Sequence, residues 1–272
     1  MDVILPAPIS DLWRPTHGRS RAMKIVACIK RVPTTDFVPR VGADGKSIDA
    51  GGAQYMASFY DEIAVEEAIQ QKEKHGGEVI VLTLGPSDTS KEVREALAKG
   101  ADRGVILTDG EWSGRDPLAT AKVLAAKIKE LGADLVILGR VATDRDNAAV
   151  GPMLATLLGW ACVTDLVKLE IAGTQATEKR EADAGVETYS FALPAVVTCQ
   201  KDLNTPRYAA LKGIMAAKKK PVDESPAGAL ASQVEVVKLS LPPARKAGRI
   251  VGEGAAAVPA LLDALRNEAK IL

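Results

Sequence analysis

Leu135-Val136-Ile137-Leu138-Gly139-Arg140-Val141-Ala142-Thr143-Asp144-Arg145-Asp146-Asn147-Ala148-Ala149-Val150-Gly151-Pro152 is the most informative stretch of the chain. Its opening apolar run, Leu135–Leu138, is short and unbroken, as in a strand buried on both faces of a parallel sheet. Gly139 ends the run, a polar loop follows, and a helix starts near Val150. The same rhythm recurs toward the N-terminus. Ile25–Ile29, Val79–Leu82 and Val105–Leu107 are short runs rich in Val, Ile and Leu. Between them Asp61–Lys74, Asp88–Lys99 and Pro117–Leu131 read as helices, each stopping near a glycine. Leu118, Ala121, Ala125 and Ile128 form one apolar stripe, with Asp116 as N-cap and Pro117 at the first helical position. Alternation of this kind predicts an α/β fold: a mostly parallel sheet flanked by helices, with right-handed crossovers.

Beyond Trp160 the pattern changes. Val163–Ile171, Thr177–Ala182 and Val186–Leu193 alternate apolar and polar residues, which predicts added antiparallel strands with one wet face. Gly173 and Asp183-Ala184-Gly185 mark their turns, and Ala195–Cys199 is again a buried-type strand. A loop, the basic run Lys218–Lys220 and a Pro/Ser/Gly-rich stretch to about Gln233 follow. Val234–Leu241 reads as one more strand, Pro242–Gly252 as a linker and Ala255–Lys270 as a helix. Residues 234–272 lack a core of their own and are expected to form a C-terminal arm that packs on another surface. Residues 1–22 hold Pro6, Pro8, Pro15 and Trp13 without periodicity and are expected to be a disordered leader. Asp2, Asp11 and the prolines count against an amphipathic presequence. Residues 23–233 are left as the α/β domain.

Composition narrows the chemistry. With 35 Lys+Arg against 35 Asp+Glu, the charge does not point to a nucleic-acid partner. No apolar run approaches the roughly 20 residues of a membrane span. Three cysteines, Cys28, Cys162 and Cys199, form no CxxC pair and fit a reducing compartment. The only histidines are His17 and His75, and His75 lies at a helix end before glycine. A His-rich metal site or a Ser-His-Asp triad is therefore not expected.

Two stretches carry candidate chemistry. Ligands of open parallel sheets bind outside the carboxyl ends of the strands. Gly139 stands at such an end. A glycine there admits a phosphate to the backbone, and the next helix N-terminus offers free N–H groups. Arg140 adds charge. The alternative is an ordinary loop whose Asp residues cap the helix. Leu84-Gly85-Pro86-Ser87 follows another strand in the same way, so two loops on one edge suggest a nucleotide pocket. Neither GxxxxGK[ST] nor GxGxxG occurs here. The second stretch is Asp202–Lys220, in which an Asn-x-Pro turn precedes aliphatic, aromatic and basic residues. It reads either as a protein-binding loop with an apolar anchor or as a short helix docked on its own domain beside a solvated Lys run.

The chain resembles the β subunits of electron transfer flavoproteins from about Lys24 to Gly252. The resemblance rests on Asp61-Glu62-Ile63-Ala64-Val65-Glu66-Glu67-Ala68, on Ala98–Gly104, on Arg180–Glu187 leading into Leu193-Pro194-Ala195-Val196-Val197-Thr198, and on Leu203–Lys220. It implies a Rossmann-like, adenine-nucleotide-binding fold and an α-subunit partner that carries most of the FAD site. It further implies electron delivery from flavin dehydrogenases, such as the acyl-CoA dehydrogenases of fatty acid β-oxidation, to a quinone oxidoreductase or another acceptor. Such a carrier has no catalytic triad or metal site of its own, inserts into no membrane and binds no nucleic acid. Its place is the cytoplasm, or the mitochondrial matrix in a eukaryote. The family's second nucleotide, AMP or in bifurcating members a second FAD, maps onto Cys28, Ser58, Phe59, Tyr60, Asp61, Leu84, Gly139, Arg140, Val141, Ala142, Thr143, Asp144, Arg145, Asp146, Asn147, Ala148, Ala149 and Val150. The recognition loop maps onto about 199–220, with Leu203, Pro206, Arg207, Tyr208, Ile214 and Met215 around a leucine anchor at Leu211. Phe37 stands near the position of a family aromatic that approaches the flavin. Asp144–Pro152 looks like the second-FAD pattern, whereas Pro242–Gly248 resembles the respiratory tail. AMP is the expected ligand. A stand-alone adenine-nucleotide sensor is the rival reading.

Overall fold

A computed structural model of the chain describes residues 22–228, 231–245 and 247–272. Nearly all of the leader expected over 1–22, and with it His17, lies outside the described residues. In chain order the elements are β1 (Lys24–Ile29), β2 (Arg31–Pro33), β3 (Arg40–Val41), β4 (Ile48–Asp49), β5 (Tyr55–Ala57), α1 (Phe59–His75) and β6 (Glu78–Gly85). Then come α2 (Ser90–Lys99), β7 (Arg103–Thr108), α3 (Pro117–Leu131), β8 (Leu135–Gly139), α4 (Val150–Leu158), β9 (Ala161–Ala172), β10 (Gln175–Ala182) and β11 (Gly185–Ala192). The last are β12 (Ala195–Cys199), α5 (Leu211–Ala217), β13 (Val222–Pro226) and α6 (Val258–Asp263). Contacts divide the chain into two compact units. One runs up to Pro39 and from Ala50 to Glu235; the other joins Arg40–Asp49 to Val236–Leu272.

The first unit is built on a nine-stranded sheet of order β11-β10-β9-β12-β8-β1-β6-β7-β13. From β9 to β13 every neighbouring pair is parallel, and β10 and β11 extend it antiparallel. Successive side chains of a strand point to opposite faces. Ile25, Ala27, Val79 and Val81 therefore enter one core with Ile63, Ala68, Ile69, Val93 and Leu97 of α1 and α2. Val26, Cys28, Ile80 and Leu82 enter the other with Leu124, Ile128 and Leu154 of α3 and α4. Burying both faces is why these strands read as unbroken apolar runs. Asp116 caps α3 as expected, accepting from Ala119 N at 2.7 Å, with Pro117 following.

The structure differs from the sequence reading in three places. Val234–Leu241 forms no strand; where the segment begins, the Asp116 carboxylate takes the N–H groups of Gln233 and Val234. The extra strand is instead β13, inside the Pro/Ser/Gly-rich stretch. It pairs with β7 through its backbone, and a polar edge strand of this kind shows no alternation. Finally, β9 is antiparallel only toward β10; its first half runs parallel to β12, with the register shifting near Asp165.

The second unit holds the β3–β4 hairpin and the tail. Leu239 N donates to Gly45 O at 2.8 Å. The helix expected over Ala255–Lys270 is a 3₁₀ turn at Ala255–Ala257, then α6, then a wider π turn at Ala264–Glu268.

Candidate nucleotide cleft and docking face

After β1 the chain adds β6 and β7 on one side, then returns to place β8 on the other side of β1. Connections leaving β1 and β8 diverge, and a crevice opens between them at the carboxyl edge of the sheet. An open cleft lies there. Cys28, Ile29 and Lys30 reach it from β1, Leu84 from β6, and Leu138 with Gly139 from β8. The loop 140–149 and the start of α4 form one wall. Trp112, Ser113, Arg115, Pro117, Thr120 and Leu124, between β7 and the first turns of α3, form the other.

Asp61, in the first turn of α1, braces this junction. Its carboxylate accepts Lys30 N at 2.7 Å and Gly139 N at 2.9 Å, tying the end of β1 to the end of β8. Burial pushes the Asp61 carboxyl up to about 7, against the two backbone donors and the Lys30 charge. Burial also raises the Cys28 thiol strongly, so it is a neutral apolar wall. Gly139 has a different reason from the one its sequence position suggested. A Cβ there would lie 2.6 Å from Asp61 Oδ1 and 2.6 Å from Tyr60 Cβ. The close approach is by α1 and needs no ligand to explain it.

The polar loop does not cap its helix. The N-cap of α4 is Ala149, with no side-chain cap, so the first N–H groups of α4, at Val150 and Gly151, are left for another acceptor. Asp144 instead pairs with Lys30 Nζ at 2.7 Å. Arg140 pairs with Asp165 at 3.0 Å and lies 6.0 Å from the centre of the Tyr60 ring. Asp146 and Ala148 hold φ of +48° and +50°, a left-handed conformation that costs about 1–2 kcal/mol for a residue with a Cβ.

Of the residues expected at the nucleotide, Cys28, Asp61, Leu84, Gly139, Arg140, Val141, Ala142, Arg145, Asn147, Ala148, Ala149 and Val150 line the cleft. Ser58 stands behind it, its hydroxyl accepting Thr143 N at 3.3 Å. Phe59 and Tyr60 stack edge to face with centroids 5.3 Å apart, Tyr60 under Gly139 and Phe59 half exposed. Asp144 and Asp146 shape the loop and are absent from the lining, as is Phe37, which sits in the turn closed by its N–H to Thr34 O. The wall from Trp112 to Leu124 escaped the sequence reading. Its one signal was position: it follows a third strand, β7, on the same edge. Apolar walls of Leu84, Leu124, Leu138 and Val150 suit a flat base, and the open turn of α4 suits a phosphate. An adenine nucleotide thus fits the residues present.

The second candidate stretch forms a separate face. Tyr208, Leu211 and Met215 are exposed at 97%, 76% and 56%, with Ile214 beside them. Leu211, Ile214 and Met215 share one side of α5 at helical spacing. The opposite side is tightly held. A Cβ at Gly213 would lie 2.3 Å from Ala98 O, and Arg94 Nη1 donates to Ala217 O and Lys220 O, both at 2.6 Å. Two expected docking residues turn inward. Leu203 packs on the core. Arg207 is clamped by Glu66, at 2.9 Å, and Glu73, at 2.6 Å, because its planar fork spans two carboxylates that lie two turns apart on one face of α1. Pro206 is half-buried beside it. Lys220 leaves the solvated run to donate to Leu97 O at 2.9 Å at the end of α2.

The chain is thus an α/β protein with a cleft at the carboxyl edge of a mostly parallel sheet and an exposed apolar helix face separate from it. The family model for the electron transfer flavoprotein domain matches residues 48–230. The chain is 41% identical over 257 residues to electron transfer flavoprotein subunit beta of Bradyrhizobium diazoefficiens, covering 92% of this chain and 100% of that protein. It is 38% identical over 259 residues to that of Bacillus subtilis, covering 92% and 100%. Against that of Mus musculus it is 38% identical over 233 residues, covering 83% and 91%. The chain belongs to the electron transfer flavoprotein family, and these relatives are beta subunits.

Proposed function

We propose that this chain is the β subunit of a heterodimeric electron carrier and holds an adenine nucleotide in the cleft at the end of β1 and β8. The carrying observation is that cleft, its α4 N-terminus uncapped and its apolar walls in place, within a chain of this family. FAD, borne mainly by the α subunit, supplies the redox chemistry. This chain's residues position and dock. Asp61 fixes the two strand ends, the α4 turn receives the phosphate, and Leu211, Ile214 and Met215 meet flavin dehydrogenases such as those acting on acyl-CoA. A quinone oxidoreductase or another acceptor takes the electrons. The C-terminal arm, residues 234–272, packs on the α subunit. The setting is the cytoplasm, or the mitochondrial matrix in a eukaryote; the Oryza sativa and Arabidopsis thaliana relatives are named as mitochondrial.

AMP is the ligand proposed for the cleft. A second FAD is the alternative, favoured by the likeness of Asp144–Pro152 to the second-FAD pattern. Co-expression with the α subunit tests the reading. The two chains are expected to co-purify in equal amounts, yellow only together, and to release AMP besides FAD on heating. Release of FAD alone at twice the dimer concentration selects the alternative. A stable yellow monomer of this chain, reduced by a dehydrogenase, overturns the reading.

A further inference from the structure

The charged side chains of the cleft lining are Lys30, Asp61, Arg115, Arg140 and Arg145. Three of the four cations are neutralised by carboxylates: Lys30 by Asp144, Arg140 by Asp165 and Arg115 by Asp109. Arg145 differs. Its guanidinium reaches across the mouth of the cleft and donates through Nη2 to the backbone carbonyl of Ser113 on the facing wall. Among the described residues no carboxylate lies within ion-pair distance of it, although Asp144 and Asp146 flank it in the chain. It is exposed, and a neutral carbonyl leaves its charge uncompensated.

The loop that carries Arg145 then turns through left-handed Asp146 and Ala148 into α4. One short segment therefore brings to the cleft both an unpaired guanidinium and the open N–H groups of Val150 and Gly151. Both favour the same ligand chemistry, an anion with several acceptor oxygens. A guanidinium bonds a phosphate through a planar fork, with two parallel hydrogen bonds between opposite charges where the neutral carbonyl accepts one.

We propose that Arg145 selects the phosphate of the nucleotide in the cleft, exchanging the Ser113 carbonyl for phosphate oxygens when the ligand enters. The proposal rests on the nucleotide reading above. It makes the affinity of the cleft depend on the phosphate and on salt. The phosphate is common to AMP and to the adenylate half of FAD, so the role holds for either.

The test is calorimetric titration of AMP and of adenosine into the complex with the α subunit, freed of its second nucleotide. Wild type, Arg145→Gln and Arg145→Lys are compared at low and high salt. Wild type is expected to prefer AMP to adenosine. In Arg145→Gln the affinity for AMP should fall roughly tenfold or more, with adenosine unchanged and the salt dependence reduced. Arg145→Lys should keep part of the preference. An unchanged AMP-to-adenosine ratio in Arg145→Gln overturns the proposal while leaving the nucleotide reading intact. Equal loss of both ligands also overturns it, showing that Arg145 only props the walls through Ser113. If wild type binds neither ligand, the nucleotide reading falls and the proposal with it.

Discussion

Asp61 and Glu178 are both buried carboxyls raised to about 7 by desolvation, and their surroundings separate them. Asp61 accepts two backbone N–H groups and ties strands together. Glu178, on β10, has neither carboxylate oxygen hydrogen-bonded, and Glu187 adds repulsion that Arg180 offsets. A folded pKa above the unfolded value of about 4.3 means that the folded state binds the proton more tightly. The stability Glu178 contributes is therefore complete below about pH 4 and is lost as pH rises through about 7. Glu178→Gln should remove that loss. Urea melts of the variant should match wild type near pH 4 and exceed it by roughly 1–3 kcal/mol at pH 8. A variant less stable at pH 8 would show that the ionised carboxylate is held by a partner.

Among elements, α5 joins a fixed side to a free side. Gly213 and Ala217 seat it on α2, with Arg94 holding its carbonyls, and this leaves Leu211, Ile214 and Met215 outward. Leu211 is 76% exposed, so truncating it removes little core. Leu211→Ala should leave flavin content and melting temperature nearly unchanged and slow electron transfer from the dehydrogenase. Loss of a central anchor costs about 2 kcal/mol or more of binding, so apparent partner affinity should drop at least about tenfold. A variant that melts several degrees lower yet docks normally would make Leu211 a packing residue. Arg207 marks the limit of reading such a loop by residue type. Among exposed basic residues it looked like part of a rim, yet Glu66 and Glu73 spend its charge on holding the loop to α1.

On the scale of the whole molecule, the order of strands places the cleft. Because β8 lies beside β1 on the side away from β6, loops from β1, β6, β7 and β8 converge on one edge. The sheet and both its cores belong to the first unit. Ending the chain after Glu235 should therefore keep the sheet. The truncated protein is expected to retain the far-UV dichroism of the α/β unit and a cooperative melt, but to fail to co-purify with the α subunit. A truncated chain that still forms the heterodimer would show that the arm is dispensable for assembly.

The buried strands, the helices between them and the glycine-ended loop were legible in the chain because burial on two faces writes itself as apolar runs, and capping writes itself as Asp116-Pro117. Gly139 after β8 and the Leu84-Gly85 turn after β6 followed from their place at strand ends, whereas Cys28 on β1 came only with the family resemblance. The edge strand β13 was not legible, since backbone pairing with β7 leaves no mark in side-chain alternation. The wall from Trp112 to Leu124 was missed because it joins the site only through the return of the chain to β8, which no local pattern records. Gly139 could be picked out, but its reason could not: only the packing of Tyr60 and Asp61 against it shows what its missing side chain makes room for. Charge was the least readable of all. Which of Lys30, Arg115, Arg140 and Arg145 faces a carboxylate depends on partners from 6 to 114 residues away or on their absence, and only the folded chain brings those groups within reach.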